Sequence, residues 1–159
     1  MRRKPTYEEL EQKIREPEAG HNPCGSNAKT HQDGREELQS IIDLLPAMIF
    51  AKDREGRFIL ANKATADSYN LTVDELVGRY HADLHPDETE ATQMLADDRK
   101  VIDSGRTLFV PEESYRDASG HTRYLQTTKV PFRSALSPLP AIIGIAQDVT
   151  ERRQAAEEM

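Results

Sequence analysis

Apolar positions along the chain fall first into helical spacing and then into strand-length runs. Four apolar residues have the spacing of one face of a helix: Leu38, Ile41, Ile42 and Leu45. They predict a helix that leads into the domain. Pro46 ends this helix, because proline lacks the amide that helical continuation needs. Two short apolar runs follow over residues 47–52 and 57–61, and the sequence DREG (53–56) separates them. Glycine at the end of this segment tolerates the positive φ of a tight turn, so the pattern predicts a β-hairpin.

Capping residues and glycines divide the next part of the chain into three helices. Asn62 can cap the first, Thr72 and Glu75 form a capping box for the second, and the third covers residues 87–104 before Gly105. Strand-like runs then occupy residues 106–116, 121–133 and 139–148. Strands joined by tight turns are antiparallel, so this order predicts an α+β domain with one antiparallel sheet.

The first 34 residues depart from this pattern. Thr6 and Glu9 form a capping box for a short helix that Pro17 ends, and this helix is either a solvated tail or part of a dimerising coiled coil. Residues 17–34 are rich in glycine, proline and asparagine, which predicts a polar linker. We therefore expect a helix and linker over residues 1–34, one folded domain over 35–150, and the start of an exit helix over 151–159.

Composition narrows the classes of partner. The 159 residues include 21 basic and 28 acidic side chains, and the net charge of −7 argues against nucleic acid as a partner. The apolar runs are far shorter than the roughly 20 residues of a membrane span, and no secretory signal opens the chain. The one cysteine, Cys24, cannot form an internal disulfide. We expect a cytoplasmic protein.

Five segments, in order, resemble a PAS domain, the sensory module of bacterial histidine kinases, diguanylate cyclases and related regulators. They are PAMIFAKD (46–53), GRFILAN (56–62), ADDRKVIDSG (96–105), TTKVP (127–131) and GIAQDVTERR (144–153). The resemblance implies a five-stranded antiparallel sheet curved around a small cavity, with helices packed on one face and a helical segment before the domain. It also implies a non-catalytic role in two-component or related signal transduction.

The predicted ligand pocket consists of alternate strand residues that face the helices when the chain is aligned with the family: Met48, Phe50, Lys52, Leu125, Thr127, Lys129, Gly144 and Ala146. A buried ammonium needs solvent or an anion. The two lysines therefore either lie at the rim of the cavity or Lys129 holds a small carboxylate ligand.

The opposite face of the sheet is predicted to be strongly apolar. Ile49, Ile143 and Ile145 should point away from the helices. Water seldom meets so apolar a face. We expect the incoming helix, a partner subunit in a homodimer, or both to cover it.

The sequence lacks the residues that bind flavin or haem in other members of the family. Members with flavin photochemistry need a reactive cysteine, and Cys24 lies outside the predicted domain. Haem members use a histidine in the long helix, and residues 89–98 contain none. We expect neither cofactor.

A metal site is the weakest alternative. His81 and His85, with Asp83 and Asp87 nearby, could hold a metal or serve a metal-dependent enzyme if the segment were helical, but Pro86 argues against that. We expect these histidines to lie on the surface before a helix cap. The acidic pairs Asp97–Asp98 and Glu112–Glu113 are likewise predicted to be solvated, and the chain contains no hydrolase or nucleotide-binding motif.

The end of the chain carries the prediction about signalling. Asp148 ends the last strand, and Thr150 can cap a helix that begins there. The resemblance implies that this motif couples the sheet to an outgoing coiled coil and an effector such as a histidine kinase. We therefore expect a piece of a longer protein or a stand-alone adaptor. The alternative is a purely structural, dimerising PAS module with a filled core.

Overall fold

The computed structural model describes residues 23–117, 119–135 and 137–157, with side chains from residue 32 onward. The predicted helix over residues 6–16 lies outside the described residues. Two units of the chain, Met1–Glu37 and Leu38–Met159, adjoin within the first described helix. All side-chain contacts reported below lie within the second unit.

Helices and strands follow the predicted order. The strands are β1 (Met48–Asp53), β2 (Phe58–Ala61), β3 (Leu108–Arg116), β4 (Thr122–Arg133) and β5 (Pro140–Asp148). The described helices are α1 (Pro23–Asp43), α2 (Lys63–Ser68), α3 (Val73–Leu76), α4 (His81–Leu84), α5 (Glu88–Ser104) and α6 (Thr150–Glu157).

The strands form one antiparallel sheet in the order β2-β1-β5-β4-β3, which confirms the α+β prediction. Pairing between β4 and β5 is regular from Leu125 opposite Asp148 to Arg133 opposite Pro140. The pairing shifts register in β1 after Ala51, and in β3 between Val110 and Glu113. The long regular pair carries the wall of the cavity described below.

Asn62 joins three elements with one buried side chain. Its Oδ1 accepts the backbone N–H groups of Ile49 and Thr65, which caps α2 as predicted. Its Nδ2 donates to the carbonyls of Ile42 and Ala47. The end of α1 is thereby fixed to the start of β1 and of α2.

The other predicted helix ends are also present. Thr72 and Glu75 form the capping box of α3, and Asp87 accepts the backbone N–H groups of Thr89 and Glu90 at the start of α5. Gly105 ends α5 with a φ of 65°, a conformation that glycine adopts without strain.

Helix α1 begins at Pro23, so the predicted polar linker over residues 17–34 is wrong from residue 23 onward. Proline costs little in the first turn of a helix, where its missing N–H has no intrahelical partner. Several good helix formers between residues 28 and 37 outweigh Gly34, which lies in the same helix.

Helix α1 does not cover the outer face of the sheet, by which we mean the face opposite the helices α2 to α5. Leu38 is 57% exposed and Ile145 is 50% exposed. Gln39 donates a hydrogen bond to the Ala61 carbonyl, so the end of α1 is held beside the edge strand β2 instead. The prediction that the incoming helix covers this face is therefore wrong for the single chain.

Candidate functional site

A cavity of about 50 Å³ lies between the sheet and the helices. Its wall includes seven of the eight predicted pocket residues: Met48, Phe50, Lys52, Leu125, Thr127, Lys129 and Ala146. The eighth, Gly144, lies beneath the Phe50 ring. A Cβ there would come within 2.4 Å of Phe50 Cζ, so only glycine lets the ring pack against β5. Ligand binding by these residues stays a prediction.

Strand alternation missed the part of the wall that β2, β3 and the helices supply. These residues are Phe58, Thr65, Ser68, Tyr69, His81, His85, Met94, Glu113 and Tyr115. Most of them belong to helices or follow a register shift, and neither position is fixed by a period-two pattern. Their aromatic and hydroxyl groups give the cavity a mixed character.

Two lysines and one aspartate form a buried ionic cluster, Lys52–Asp98–Lys129. Lys52 Nζ lies 2.7 Å from Asp98 Oδ2, and Lys129 Nζ lies 2.9 Å from Asp98 Oδ1. The three side chains are at most 4% exposed. The predictions of lysines at the rim and of a solvated Asp98 are both wrong, because α5 turns Asp98 inward between the two strands.

The pKa values of the cluster follow from this burial. Desolvation lowers the pKa of Lys52 below its ordinary value, although the carboxylate of Asp98 opposes the shift. Burial alone would raise the pKa of Asp98, but the two ammonium groups outweigh it and hold that pKa below 3.8. The aspartate is therefore charged at neutral pH.

His81 and His85 are buried, which corrects the prediction that they lie on the surface. One turn of helix, α4, brings their rings edge to face with centroids 5.2 Å apart, and the helix ends before Pro86. Burial, and next the charge of Lys52, lowers the pKa of His81 well below 6.5, so its imidazole is neutral. Asp83 is exposed. Within the described ranges, no group of three or more potential metal ligands is present.

The register shift in β3 turns two neighbouring acids to different partners. Glu113 is half-buried and accepts a hydrogen bond from the Thr127 hydroxyl at 3.1 Å, on the cavity side of the sheet. Glu112 pairs with Arg153 of α6. The prediction of simple solvated charge is wrong for Glu113, because the register shift places it opposite Leu125.

Helix α6 is attached to β4 by short contacts. The Asp148 carboxylate accepts the Thr150 N–H at 2.9 Å, and the Thr150 hydroxyl accepts the Tyr124 N–H at 3.0 Å. The Arg153 guanidinium lies 3.9 Å from the centre of the Tyr124 ring. The side chain that serves the first turn of α6 is therefore Asp148, whereas Thr150 holds β4, which corrects the predicted cap.

A second depression, of about 340 Å³, adjoins the cavity. Met48, Ser68, Tyr115 and Ala146 line both spaces. Arg123 and Asp148 line only the depression. The depression therefore extends from residues that line the cavity to the end of β5, where the chain enters α6.

No helix among the described residues is long and apolar enough to cross a membrane. The family model described as the PAS fold matches residues 42–154. This match covers more than half of the chain, and the chain therefore belongs to the PAS fold family.

Known relatives include sensor proteins. The chain is 30% identical over 131 residues to the virulence sensor protein BvgS of Bordetella bronchiseptica, covering 80% of this chain and 10% of BvgS. It is 29% identical to the methanogenesis regulatory histidine kinase FilI of Methanothrix harundinacea, covering 77% of this chain and 13% of FilI. The chain thus spans only about a tenth of these relatives.

Solved structures give the same assignment. The PAS domain of Bordetella pertussis BvgS has a TM-score of 0.60 and 28% identity, covering 79% of this chain and 93% of that domain. The Vibrio cholerae VqmA dimer has a TM-score of 0.63 and 26% identity, covering 74% of this chain and 52% of VqmA. A structure of VqmA bound to DPO is similarly close, with a TM-score of 0.61. These comparisons make the chain a PAS domain.

Proposed function

We propose that this chain binds a small molecule in its cavity and passes the binding event through α6 to an effector such as a histidine kinase. The observation that carries the proposal is the shared sheet: β4 and β5 form part of the cavity wall, and β5 leads within two residues into α6. A ligand that favours one packing of this wall shifts the population of helix arrangements.

The character of the cavity supports ligand binding over a filled structural core. Its wall contains buried lysines, Thr127 and His81 among aromatic residues. Ligand sites typically combine apolar walls with a few convergent polar groups. A core that only stabilises the fold has no need for two buried ammonium groups, whose desolvation is costly.

The proposed route from cavity to helix runs through β3 and β4. Thr127 faces the cavity and donates to Glu113, while the adjacent Glu112 pairs with Arg153 of α6. The Tyr124 N–H and ring contact Thr150 and Arg153. A ligand that moves Thr127 or Glu113 therefore acts on the residues that hold α6. Asp148 and Thr150, predicted from the sequence to couple the signal, belong to the same set of contacts.

The relatives supply the effector class in this proposal. FilI is a histidine kinase, BvgS is a sensor protein, and VqmA binds DPO. A non-catalytic input role fits the small share of FilI and BvgS that the chain spans. The chemical activity of the whole protein would then belong to another domain.

We also propose that the chain forms a homodimer through its outer sheet face and α1. Exposed apolar residues lie on both: Leu38 and Ile41 on α1, and Phe109, Phe132 and Ile145 on the sheet. A second copy of the chain offers the same two surfaces, as a two-fold interface requires. The relative VqmA is dimeric. Dimerisation and ligand sensing are compatible.

Native mass spectrometry of freshly purified protein tests both parts of the proposal. We expect a dimer that carries a small molecule released on denaturation, and we expect the released compound to raise the melting temperature of stripped protein. A chain mass without additional compound, together with no thermal shift from a panel of small anionic and neutral metabolites, contradicts ligand sensing. The filled-core alternative would then hold.

A further inference from the structure

The buried charges around the cavity do not balance. Lys52 and Lys129 both place an ammonium group in its wall, and among the described side chains Asp98 alone forms an ion pair with either one. His81 adds no charge, because burial and the nearby Lys52 keep its pKa well below 6.5. With both lysines protonated, the cluster carries one surplus positive charge where water has almost no access, and burial opposes that state by lowering the pKa of Lys52.

Glu113 does not remove this surplus. It also lines the cavity, but it is half-buried, and its carboxylate accepts the hydroxyl of Thr127 instead of a lysine N–H. Its charge acts on Lys52 through space and raises the pKa of that lysine, but Glu113 forms no ion pair with Lys52 or Lys129. The imbalance at the ends of Lys52 and Lys129 therefore remains.

Both lysines also have unused donors. An ammonium group carries three N–H bonds, and each lysine directs one contact to Asp98. Neither Nζ forms another hydrogen bond or ion pair in the part of the chain that the structure describes. Lys52 Nζ instead lies 5.2 Å from the centre of the Phe50 ring. Buried donors without acceptors are costly, so an acceptor oxygen placed between them is strongly favoured.

The size and remaining surface of the cavity limit the ligand further. A volume of about 50 Å³ is room for about four water molecules, or roughly four to six non-hydrogen atoms. Away from the lysines the wall is largely apolar, with Phe58, Met94 and Leu125. The space fits a short hydrocarbon chain better than a second charged group.

We infer that the ligand is a short-chain monocarboxylate whose carboxylate lies between Lys52 and Lys129 and whose tail contacts the apolar wall. This inference rests on the proposed sensing function and adds the chemical class. A single negative charge balances the cluster and accepts the free N–H groups. A dicarboxylate would bring a second charge that has no partner among the described cavity residues.

Titration of the chain with propionate, propionamide and succinate tests the inference, with binding measured by calorimetry and by ligand-observed NMR. Propionate and propionamide have the same number of non-hydrogen atoms and differ in charge. We expect propionate to bind at least tenfold more tightly than propionamide and than succinate.

Lysine variants locate the site. Lys129→Met should weaken propionate binding at least tenfold, whereas Lys100→Met should not change it, because the Lys100 side chain is 70% exposed on the surface of α5. Lys129→Met leaves a neutral Lys52–Asp98 pair and similar side-chain volume. We therefore expect its melting temperature without ligand to equal or exceed that of wild type, which shows that a loss of binding is not a loss of folding.

Any of three results would overturn the inference. Equal binding of propionate and propionamide, or unchanged propionate binding by Lys129→Met, excludes the carboxylate between the lysines. Absence of propionate binding to wild type overturns it as well. The proposed function is judged separately, since a retained neutral compound that stabilises the protein supports ligand sensing while it rejects this ligand class.

Discussion

At the scale of single residues, Asp98 is the side chain on which the buried cluster depends. It is fully buried and pairs with one lysine from β1 and one from β4. Removing one partner of a buried ionic group leaves the remaining charge without compensation, and here two ammonium groups would be left. Asp98 thereby links α5 to the sheet by charge as well as by packing.

We expect Asp98→Asn to lower the free energy of unfolding by about 3–5 kcal/mol, because the amide cannot balance the lysines. Asp97→Asn is the matched control, since Asp97 pairs with Lys100 on the surface and such pairs contribute about 1 kcal/mol or less. Urea unfolding followed by circular dichroism measures both. Equal losses for the two variants would contradict a special role for Asp98.

We expect the free energy of unfolding to decrease in mild acid because His81 is buried as a neutral imidazole. Burial, followed by the charge of Lys52, holds its folded-state pKa well below 6.5, while the unfolded side chain titrates near 6.5. As pH falls below about 6.5, the unfolded chain binds the proton first, so the free energy of unfolding decreases. Asp98 does not contribute in this window, because its pKa lies below 3.8.

His81→Phe should flatten this decrease between about pH 7 and pH 5, because it keeps a ring beside Phe58 and removes the titrating group. His121→Phe should leave the decrease unchanged, since the His121 side chain is 73% exposed. Urea unfolding at several pH values measures both variants. The same slope in His81→Phe as in wild type would exclude His81 as the cause.

The sequence pattern predicted the strand residues that line the cavity. It did not predict the helix residues that face them. Period-two alternation correctly placed Phe50, Lys52 and Lys129 on the face toward the helices. Asp97 and Asp98 are neighbours in sequence and differ by about 100° around α5. Only the docking of α5 on the sheet decides that Asp98 is the buried one.

At the scale of elements, α6 is held by its contacts with β3 and β4. Arg153 pairs with Glu112 and Glu157 and covers the Tyr124 ring. These exposed contacts are individually weak, because solvent screens them. The helix is therefore attached firmly enough to have a preferred position and loosely enough to be released.

We expect Arg153→Ala to speed amide hydrogen exchange in residues 150–157 by about five- to tenfold, because it removes the contacts with Glu112, Glu157 and the Tyr124 ring together. Arg152→Ala is the control, because Arg152 is the exposed neighbour in the same helix. Hydrogen exchange measured by mass spectrometry compares them. No difference between the two variants would mean that the contacts of Arg153 do not hold the helix.

Helix boundaries set by local chemistry were predictable, and features set by tertiary packing were not. Asn62, Thr72 and Gly105 mark helix ends through bonds or dihedral angles that local sequence determines. The register shift beside Glu113 and the single turn of α4 depend on what packs against them. The sequence pattern therefore missed the register shift that brings Glu113 to the cavity and the short helix that brings His81 there.

At the scale of the whole molecule, part of the outer sheet face remains exposed in the single chain, although Ile49 and Ile143 on that face are half-buried. Ile145 lies on the central strand β5 and is 50% exposed. Phe109 lies on the edge strand β3 and is 54% exposed. An apolar surface of this kind commonly marks an interaction site. The proposed homodimer would bury it.

Ile145→Glu should shift the chain from dimer to monomer, because a second copy would have to bury the new carboxylate. Val77→Glu should leave the dimer intact, since Val77 is also exposed but follows α3 on the other side of the sheet. Sedimentation velocity at matched concentrations measures both. A dimer in Ile145→Glu would place the interface elsewhere.

The central claim is that the cavity and the exit helix α6 are coupled, and it can be tested without a ligand. Thr127→Val removes the hydrogen bond to Glu113 inside the cavity, whereas Thr128→Val alters the neighbouring residue on the outer face. The measurement is amide hydrogen exchange in residues 150–157 of both variants and wild type. The account predicts at least a threefold change for Thr127→Val and none for Thr128→Val. Exchange in α6 that is identical in all three proteins would contradict it.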